Sequence, residues 1–265
     1  MSDTATITTL NRAAWDASAP LHGVGPAWDT LCATIGAGGS TLDEVLTVAL
    51  NTAGIKGSKL VQIGCNNGRE VLSAMALGAT EGWGIDQSQA FLTQADELKA
   101  LSPHEAQFLC ADIYALPANA PRDFDIALIT IGVLNWMPDL PRFFEAVSGL
   151  LRNGGQLVIY ETHPMLEMFD PAADDPHTPA FSYFKTDAHI ETQTITYDGS
   201  GTNGGPEAHW FPHTLSSIVQ AALDAGLTLN ALHEYPHSIR EVEYDVYANQ
   251  AAQLPMSYLL RATKR

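Results

Sequence analysis

The chain has 265 residues, 46% of them apolar, which is enough for one domain with a sizeable buried core. Acidic residues outnumber basic ones by 30 to 13, and the net charge of −17 argues against nucleic acid or an anionic membrane as a partner, since both bind basic surfaces. Three cysteines without a paired spacing, an N-terminus without the pattern of a signal peptide, and apolar stretches too short to span a membrane predict a soluble cytoplasmic protein.

The N-terminal part is predicted to be only partly helical. Residues 10–19 have the pattern of a short helix, and residues 20–39 are rich in loop-forming types with one more short helix among them. A further helix is predicted to begin with a capping box between Thr41 and Glu44 and to end near residue 53.

The next segment predicts a strand, a glycine-containing loop and a helix. Residues 60–63 are an apolar run that breaks at Gly64, and apolar residues recur at helical spacing after Gly68. Gly64 allows a sharp turn, Gly68 allows close packing, and Asn66 or Asn67 can cap the helix. This order is that of the first unit of a nucleotide-binding α/β sheet, although a glycine turn between strand and helix is also an ordinary packing feature.

The loop departs from the fingerprint of dinucleotide-binding proteins. That fingerprint has glycine at the first, third and sixth positions, which are here Gly64, Asn66 and Arg69. The middle glycine lets a pyrophosphate approach the backbone, and Asn66 places a side chain there. The loop therefore suits a nucleoside without a pyrophosphate, a description that S-adenosylmethionine fits.

The chain continues as alternating strands and helices, which imply a parallel sheet. Asp86 ends the second strand 22 positions after Gly64, close to the spacing at which a carboxylate meets ribose hydroxyls, and Asp112 lies near the end of the third. After the strand at 60–63, four more strands are predicted at 83–86, 108–113, 124–130 and 156–163, and helices are predicted between them at 88–101 and 141–151.

The pattern changes after residue 163. We predict a long loop at 164–179, strand character at 182–197, a flexible turn at 199–206, a helix at 215–225, and two final strands at 228–235 and 256–263.

Residues 55–163, with the glycine loop and two strands ending in Asp, resemble the class I S-adenosylmethionine-dependent methyltransferases. The motif of that family usually has an acid and a middle glycine where this chain has Gln62 and Asn66. The resemblance implies a Rossmann-like, seven-stranded, mostly parallel sheet with helices on both faces and an antiparallel strand pair at one edge. It also implies one domain: an N-terminal segment (1–40) folding over the cofactor, a cofactor-binding core (41–163), a substrate-side cap insertion (164–210), and a C-terminal helix with edge strands (211–265).

Ligands of open α/β sheets bind beyond the carboxyl ends of the strands. Asp86 is expected to accept both ribose hydroxyls and Asp112 the adenine amino group, whereas a helix cap or solvated loop is the alternative for each. The expected cofactor-binding residues are Trp15, Gly64, Cys65, Asn66, Asn67, Gly68, Asp86, Gln87, Asp112, Ile113, Thr130, Ile131 and Gly132.

Side chains of the same end could serve the acceptor. His163 and His213 are candidates for a general base, and an ordinary core or surface histidine is the alternative for both. Aromatic and imidazole groups that could enclose a small acceptor are His22, Trp136, Tyr183 and Trp210. No metal site is predicted.

The resemblance predicts an enzyme of the EC 2.1.1 type, which transfers a methyl group from S-adenosylmethionine to an oxygen or nitrogen of a small molecule. A non-catalytic protein of the same fold that binds this cofactor stays open as an alternative. A nicotinamide-dependent oxidoreductase is the other alternative, against which Asn66 and Arg69 argue. We expect a monomer or homodimer.

Overall fold

The computed structural model describes residues 4–196 and 200–265. Its strands in chain order are β1 (Lys59–Ile63), β2 (Glu81–Asp86), β3 (Gln107–Cys110), β4 (Phe124–Thr130), β5 (Leu151–Thr162), β6 (His189–Gln193), β7 (Asn203–Trp210), β8 (Leu227–Tyr235) and β9 (Ser257–Lys264). Its α-helices are α1 (Thr4–His22), α2 (Gly25–Gly36), α3 (Glu44–Thr52), α4 (Arg69–Ala76), α5 (Gln89–Leu101), α6 (Leu140–Leu150) and α7 (Leu215–Asp224).

Seven strands form one sheet in the order β3-β2-β1-β4-β5-β9-β8, while β6 and β7 form a separate antiparallel hairpin. The strands β1 to β5 pair in parallel, and β9 runs antiparallel to both β5 and β8. The predicted fold class is therefore confirmed, including the antiparallel strands at one edge.

Apolar residues cover both faces of the sheet. On one face Phe143 and Phe144 of α6 pack with Ile129 of β4, and on the other Leu50 of α3 packs with Leu128. A sheet that is buried on both sides needs strands that are apolar throughout, which explains the continuous runs in the sequence. No helix among the described residues is long and apolar enough to cross a membrane.

The N-terminal part is more helical than predicted. Helix α1 continues through Pro20 to His22, and α2 occupies most of the predicted loop. Contacts with the hairpin stabilise α1 near Pro20, because the Ser18 hydroxyl accepts from the backbone N–H of Ile195 at 2.8 Å. A tertiary contact of this kind overrides the local preference of proline to end a helix.

Two predicted helix caps were wrong. Asp43, not Thr41, caps α3 by accepting from the Leu46 N–H at 2.8 Å, since Thr41 is engaged with Ser73. Gly68, not Asn66 or Asn67, is the N-cap residue of α4, with φ +73°.

Other boundaries also differ from the prediction. Strand β3 ends at Cys110, before Asp112, and β5 begins five residues early, at Leu151. Among the described residues of the predicted strand 182–197, only His189–Gln193 form a strand, and β7 includes part of the predicted turn 199–206. Tyr197 and Gly199 in those two segments lie outside the described residues.

Candidate active-site cleft

A cleft of about 810 Å³ opens at the carboxyl ends of the central strands. This volume falls within the range of roughly 300–1,000 Å³ for sites of small molecules. Helix α1, the hairpin and residues 167–172 and 241–244 form its outer walls. The predicted site residues that line it are Trp15, Gly64, Asn66, Asp86, Gln87, Asp112, Ile113, Ile131, Gly132, Trp136 and Trp210.

The glycine loop at the cleft depends on its two glycines. Gly64 has φ +65°, and a Cβ there would lie 2.6 Å from the Cγ2 of Val133. A Cβ at Gly68 would lie 2.5 Å from the ring of Phe108. Both positions therefore exclude a side chain, as the sequence predicts. Asn66 also adopts a left-handed conformation, with φ +51°, and its side-chain oxygen accepts from the Asn67 N–H at 2.8 Å.

Asp86 ties this loop to the end of β2. Its two carboxylate oxygens accept from the backbone N–H groups of Asn66 and Ser88, both at 2.8 Å. Burial raises the pKa of Asp86 above its ordinary value, although these hydrogen bonds oppose the shift. A carboxylate has about four acceptor positions, so Asp86 keeps capacity for a hydroxyl donor in the cleft besides these backbone groups.

A carboxylate lies beneath the loop even though the usual acid position is occupied by Gln62. Glu70 of α4 is buried, and its Oε1 lies 2.7 Å from Nη2 of Arg240 and 3.6 Å from Nε of Arg69. Burial opposes the charge of Glu70, but the two guanidinium groups hold its pKa below the ordinary value. Gln62 donates to Thr130 Oγ1 at 3.1 Å, and Thr130 is buried and does not line the cleft.

Another buried carboxylate shapes the loop that follows β4. Glu161 accepts from the backbone N–H of Gly132 and, at 3.2 Å, from that of Leu134. Burial raises the pKa of Glu161 to about 7. Gly132 has φ +80°, and a Cβ added there would meet nothing within 4 Å, so the chain leaves open space beside this backbone.

Helix α1 is fastened across the cleft by polar contacts. The Thr8 hydroxyl donates to Asp112 Oδ2 at 2.7 Å, while Asp112 Oδ1 accepts from the Tyr114 N–H at 2.9 Å. Asp112 therefore caps a short 3-10 helix and holds α1, which is the alternative role foreseen for it. Trp15 packs edge-to-face on Phe91, with ring centroids 5.6 Å apart.

Several predicted residues do not line the cleft. Cys65 is buried against Gly84, Asn67 is buried beside α4, and the Tyr183 hydroxyl accepts from the Leu215 N–H at 3.0 Å. The His22 ring bonds to the carbonyl of Ile195 at 2.8 Å. The predicted residues outside the cleft lining are His22, Cys65, Asn67, Gly68, Thr130, His163, Tyr183 and His213.

The two predicted catalytic histidines are occupied elsewhere. His163 is buried; its Nε2 lies 2.8 Å from Glu234 Oε1, and its Nδ1 accepts from the Met165 N–H. His213 bonds through Nε2 to the Met137 carbonyl at 2.9 Å. Burial lowers the pKa of both imidazoles. Neither is placed to take a proton from a molecule in the cleft.

Part of the cleft wall is acidic, a feature that the sequence did not predict. Glu167, Glu241 and Glu243 line it together with His189. Trp210 donates from Nε1 to Glu167 Oε2 at 2.7 Å, and the rings of Trp210 and Trp136 meet edge-to-face at 5.0 Å. No periodicity marks the three glutamates in the sequence, since they belong to short 3-10 helices or the irregular residues beside them.

Residues 61–159 match the sequence family described as a methyltransferase domain. A curated tRNA U34 carboxymethyltransferase from Idiomarina loihiensis is 29% identical over 116 residues, which cover 42% of this chain and 35% of that protein. The aligned part therefore spans about a third of the curated relative.

Solved structures share the fold at low sequence identity. An S-adenosylmethionine-dependent methyltransferase from Mesorhizobium loti superimposes with a TM-score of 0.60 at 22% identity, over 82% of this chain and 96% of that one. The [4+2]-cyclase SpnF does so with a TM-score of 0.53 at 18% identity, over 83% and 80%.

The strand order, the glycine loop and the matched domain together define a Rossmann-like methyltransferase fold. Residues 61–159 carry a methyltransferase domain, and the fold of the chain is that of class I S-adenosylmethionine-dependent methyltransferases. S-adenosylmethionine is the cofactor that this domain and this fold imply.

Proposed function

We propose that this protein transfers a methyl group from S-adenosylmethionine to an oxygen or nitrogen atom of a small molecule. The observation that carries the proposal is the cleft at the strand ends, where Asp86 and the loop from Gly64 to Gly68 meet. Asp86 offers acceptors for ribose hydroxyls, and Gly132 leaves open space beside the backbone for the methionine part. The acceptor oxygens of Asp86 and the open space beside Gly132 both fit the cofactor.

When bound, the cofactor supplies a methyl group that is already activated on a sulfonium, so the protein mainly aligns the acceptor with it. Trp15 and Trp136 pack edge-to-face, with ring centroids 5.4 Å apart, and both line the cleft. Such aromatic walls exclude water and orient a small acceptor. His189 lines the same cleft and is a nearer candidate for a base than the two histidines predicted from the sequence.

A small acceptor fits this chain better than tRNA, the substrate named for the curated relative. Phosphate backbones bind basic surfaces, whereas this chain has a net charge of −17. Among the described residues that line the cleft there is no lysine or arginine.

The test is formation of S-adenosylhomocysteine from S-adenosylmethionine with a panel of small phenols, acids and amines. At least one acceptor should raise the rate above the acceptor-free rate, and Asp86→Ala should lower that rate. Tight binding of the cofactor without turnover of any acceptor would instead support the second candidate, a cofactor-binding protein without methyl transfer. This fold also occurs in a [4+2]-cyclase, so the fold by itself does not imply methyl transfer.

A further inference from the structure

The end of the cleft away from Asp86 carries an excess of carboxylates. We call this set the acidic wall: Glu167, Asp170, Glu191, Glu241 and Glu243. No lysine or arginine accompanies them among the described residues that line the cleft. Carboxylates in a partly enclosed space are costly unless something compensates their charge.

Glu167 accepts a hydrogen bond but has no basic partner among the described residues that line the cleft. Its Oε2 accepts from Trp210 Nε1 at 2.7 Å, and its Oε1 has no hydrogen-bond partner among the described residues. Burial and the neighbouring charges of Glu161 and Glu243 raise the pKa of Glu167 to about 7. The carboxylate therefore lacks a cation of the protein's own.

Glu241 is a second carboxylate of the acidic wall that accepts one hydrogen bond, and it is more deeply buried than Glu167. Only 8% of it is exposed, yet it lines the cleft. The Thr162 hydroxyl donates to its Oε2, and within the described part of the chain its Oε1 meets no donor. Burial and the charges of Glu161 and Glu167 raise the pKa of Glu241 to about 8. A carboxylate oxygen without a donor, on a residue that lines a cavity, indicates a ligand that donates to it.

The surroundings favour an organic cation over a metal ion. Among residues 4–196 and 200–265, no group of three or more His, Cys, Asp or Glu side chains is arranged to hold a metal. The rings of Trp136 and Trp210, 5.0 Å apart, line the cleft beside Glu167, and Tyr244 lines it next to Glu243. Aromatic faces combined with carboxylates bind ammonium groups, through cation–π attraction and charged hydrogen bonds.

We propose that the methyl acceptor carries an ammonium group, which the acidic wall binds through Glu167 and Glu241 beside the rings of Trp136 and Trp210. This inference rests on the proposed function, because it takes the acidic wall as the acceptor end of the cleft. It names the substrate class as small amines and excludes carboxylate acceptors, which the wall repels.

The test uses binding rather than turnover. The probes share one skeleton and differ in one group: tryptamine, its alcohol analogue indole-3-ethanol and its carboxylate analogue indole-3-acetate, together with the corresponding phenylethyl compounds. Each is titrated by calorimetry into the wild-type protein, with and without S-adenosylhomocysteine. The variants are Glu167→Gln and Glu241→Gln. Glu105→Gln is the matched control, since it removes the same charge from an exposed residue outside the cleft.

The ammonium probe of at least one skeleton should bind about 10-fold or more tightly than its alcohol, and the carboxylate should bind weakest. Glu167→Gln and Glu241→Gln should each reduce amine affinity by about 10-fold and leave the alcohol unchanged, while Glu105→Gln changes neither. Gln keeps the shape of the side chain, so a loss confined to the amine reports charge rather than packing.

Three results would overturn the inference. The first is that neither skeleton shows a preference for ammonium, which includes no binding at all, and the second is a preference that survives both variants. The third is that Glu167→Gln or Glu241→Gln loses affinity for S-adenosylmethionine but not for S-adenosylhomocysteine. The last result would mean that the wall serves the sulfonium of the cofactor. If S-adenosylhomocysteine fails to bind the wild-type protein, the proposed function fails, and the titration of amines without it still judges the acidic wall.

Discussion

Replacing Asp86 by alanine is the most direct perturbation of the cofactor site. In the structure this carboxylate accepts from two backbone N–H groups, those of Asn66 and Ser88. Removing it takes away the predicted acceptor for the ribose and also leaves the loop after β1 without its tie to β2. The variant should therefore affect both affinity and stability, and the two effects must be measured separately.

The expected loss of affinity follows from the hydrogen bonds involved. Hydrogen bonds to a charged group contribute about 1.5–3 kcal/mol, so the Kd for S-adenosylhomocysteine should rise about 10- to 150-fold. The unpaired N–H groups should lower the free energy of unfolding by about 1–3 kcal/mol. Protonation of Asp86 should weaken the binding of S-adenosylhomocysteine to the wild-type protein as the pH falls. Because burial raises the pKa of Asp86, this loss of affinity should begin at a higher pH than it would for an ordinary aspartate.

Calorimetry at a temperature well below unfolding gives the affinity, and thermal unfolding followed by circular dichroism gives the stability. Asp96→Ala is the matched control, since Asp96 is exposed on α5 and its loss changes the net charge equally. Asp86→Asn should fall between wild type and Asp86→Ala, because it keeps one oxygen. An unchanged Kd in a folded Asp86→Ala variant would refute the assignment of Asp86 to the ribose.

Two further predictions concern the covering helix and the buried ion pair. Amide hydrogen exchange in residues 10–30 should slow when S-adenosylhomocysteine binds, with α7 as the unaffected internal control, and equal exchange with and without the ligand would contradict a lid. Arg240→Ala should lower the free energy of unfolding at pH 7 by about 1–3 kcal/mol, because it removes one partner of buried Glu70 while its own half-exposed position limits the loss. Since the folded pKa of Glu70 is lowered, this difference between wild type and variant in urea unfolding should be full above its ordinary value of 4.5 and shrink as the pH falls below it; a pH-independent difference would contradict the ion pair.

The parts of the fold that local sequence decides were predicted well. Strand β4 has the predicted bounds, Phe124–Thr130, because its apolar run at residues 126–129 favours a strand that is buried on both faces. The cap of α3 was wrong because the choice between Thr41 and Asp43 depends on Ser73, which lies 32 residues away from Thr41. No pattern within a helix start can reveal such a partner.

The same distinction holds for the site. Asp86 and Gly132 line the cleft because the carboxyl ends of the strands meet at one edge of a parallel sheet. Their position can therefore be predicted from the topology alone. The environment of His163 depends instead on Glu234, a residue 71 positions away on the edge strand β8. A histidine at a strand end is thus a weak sign of catalysis until its neighbours are known.

Two buried carboxylates of this protein, Glu70 and Glu241, differ in their partners, and the difference bears on function. Glu70 beneath the glycine loop is met by Arg240 and Arg69, so its charge is compensated inside the fold. Glu241 follows Arg240 directly in the chain, yet it faces the cleft and receives only a hydroxyl. Glu167 and Glu241 lie where a ligand in the cleft can reach them, and no lysine or arginine accompanies them among the described residues that line the cleft. This is the pattern expected of a binding site and not of a structural ion pair.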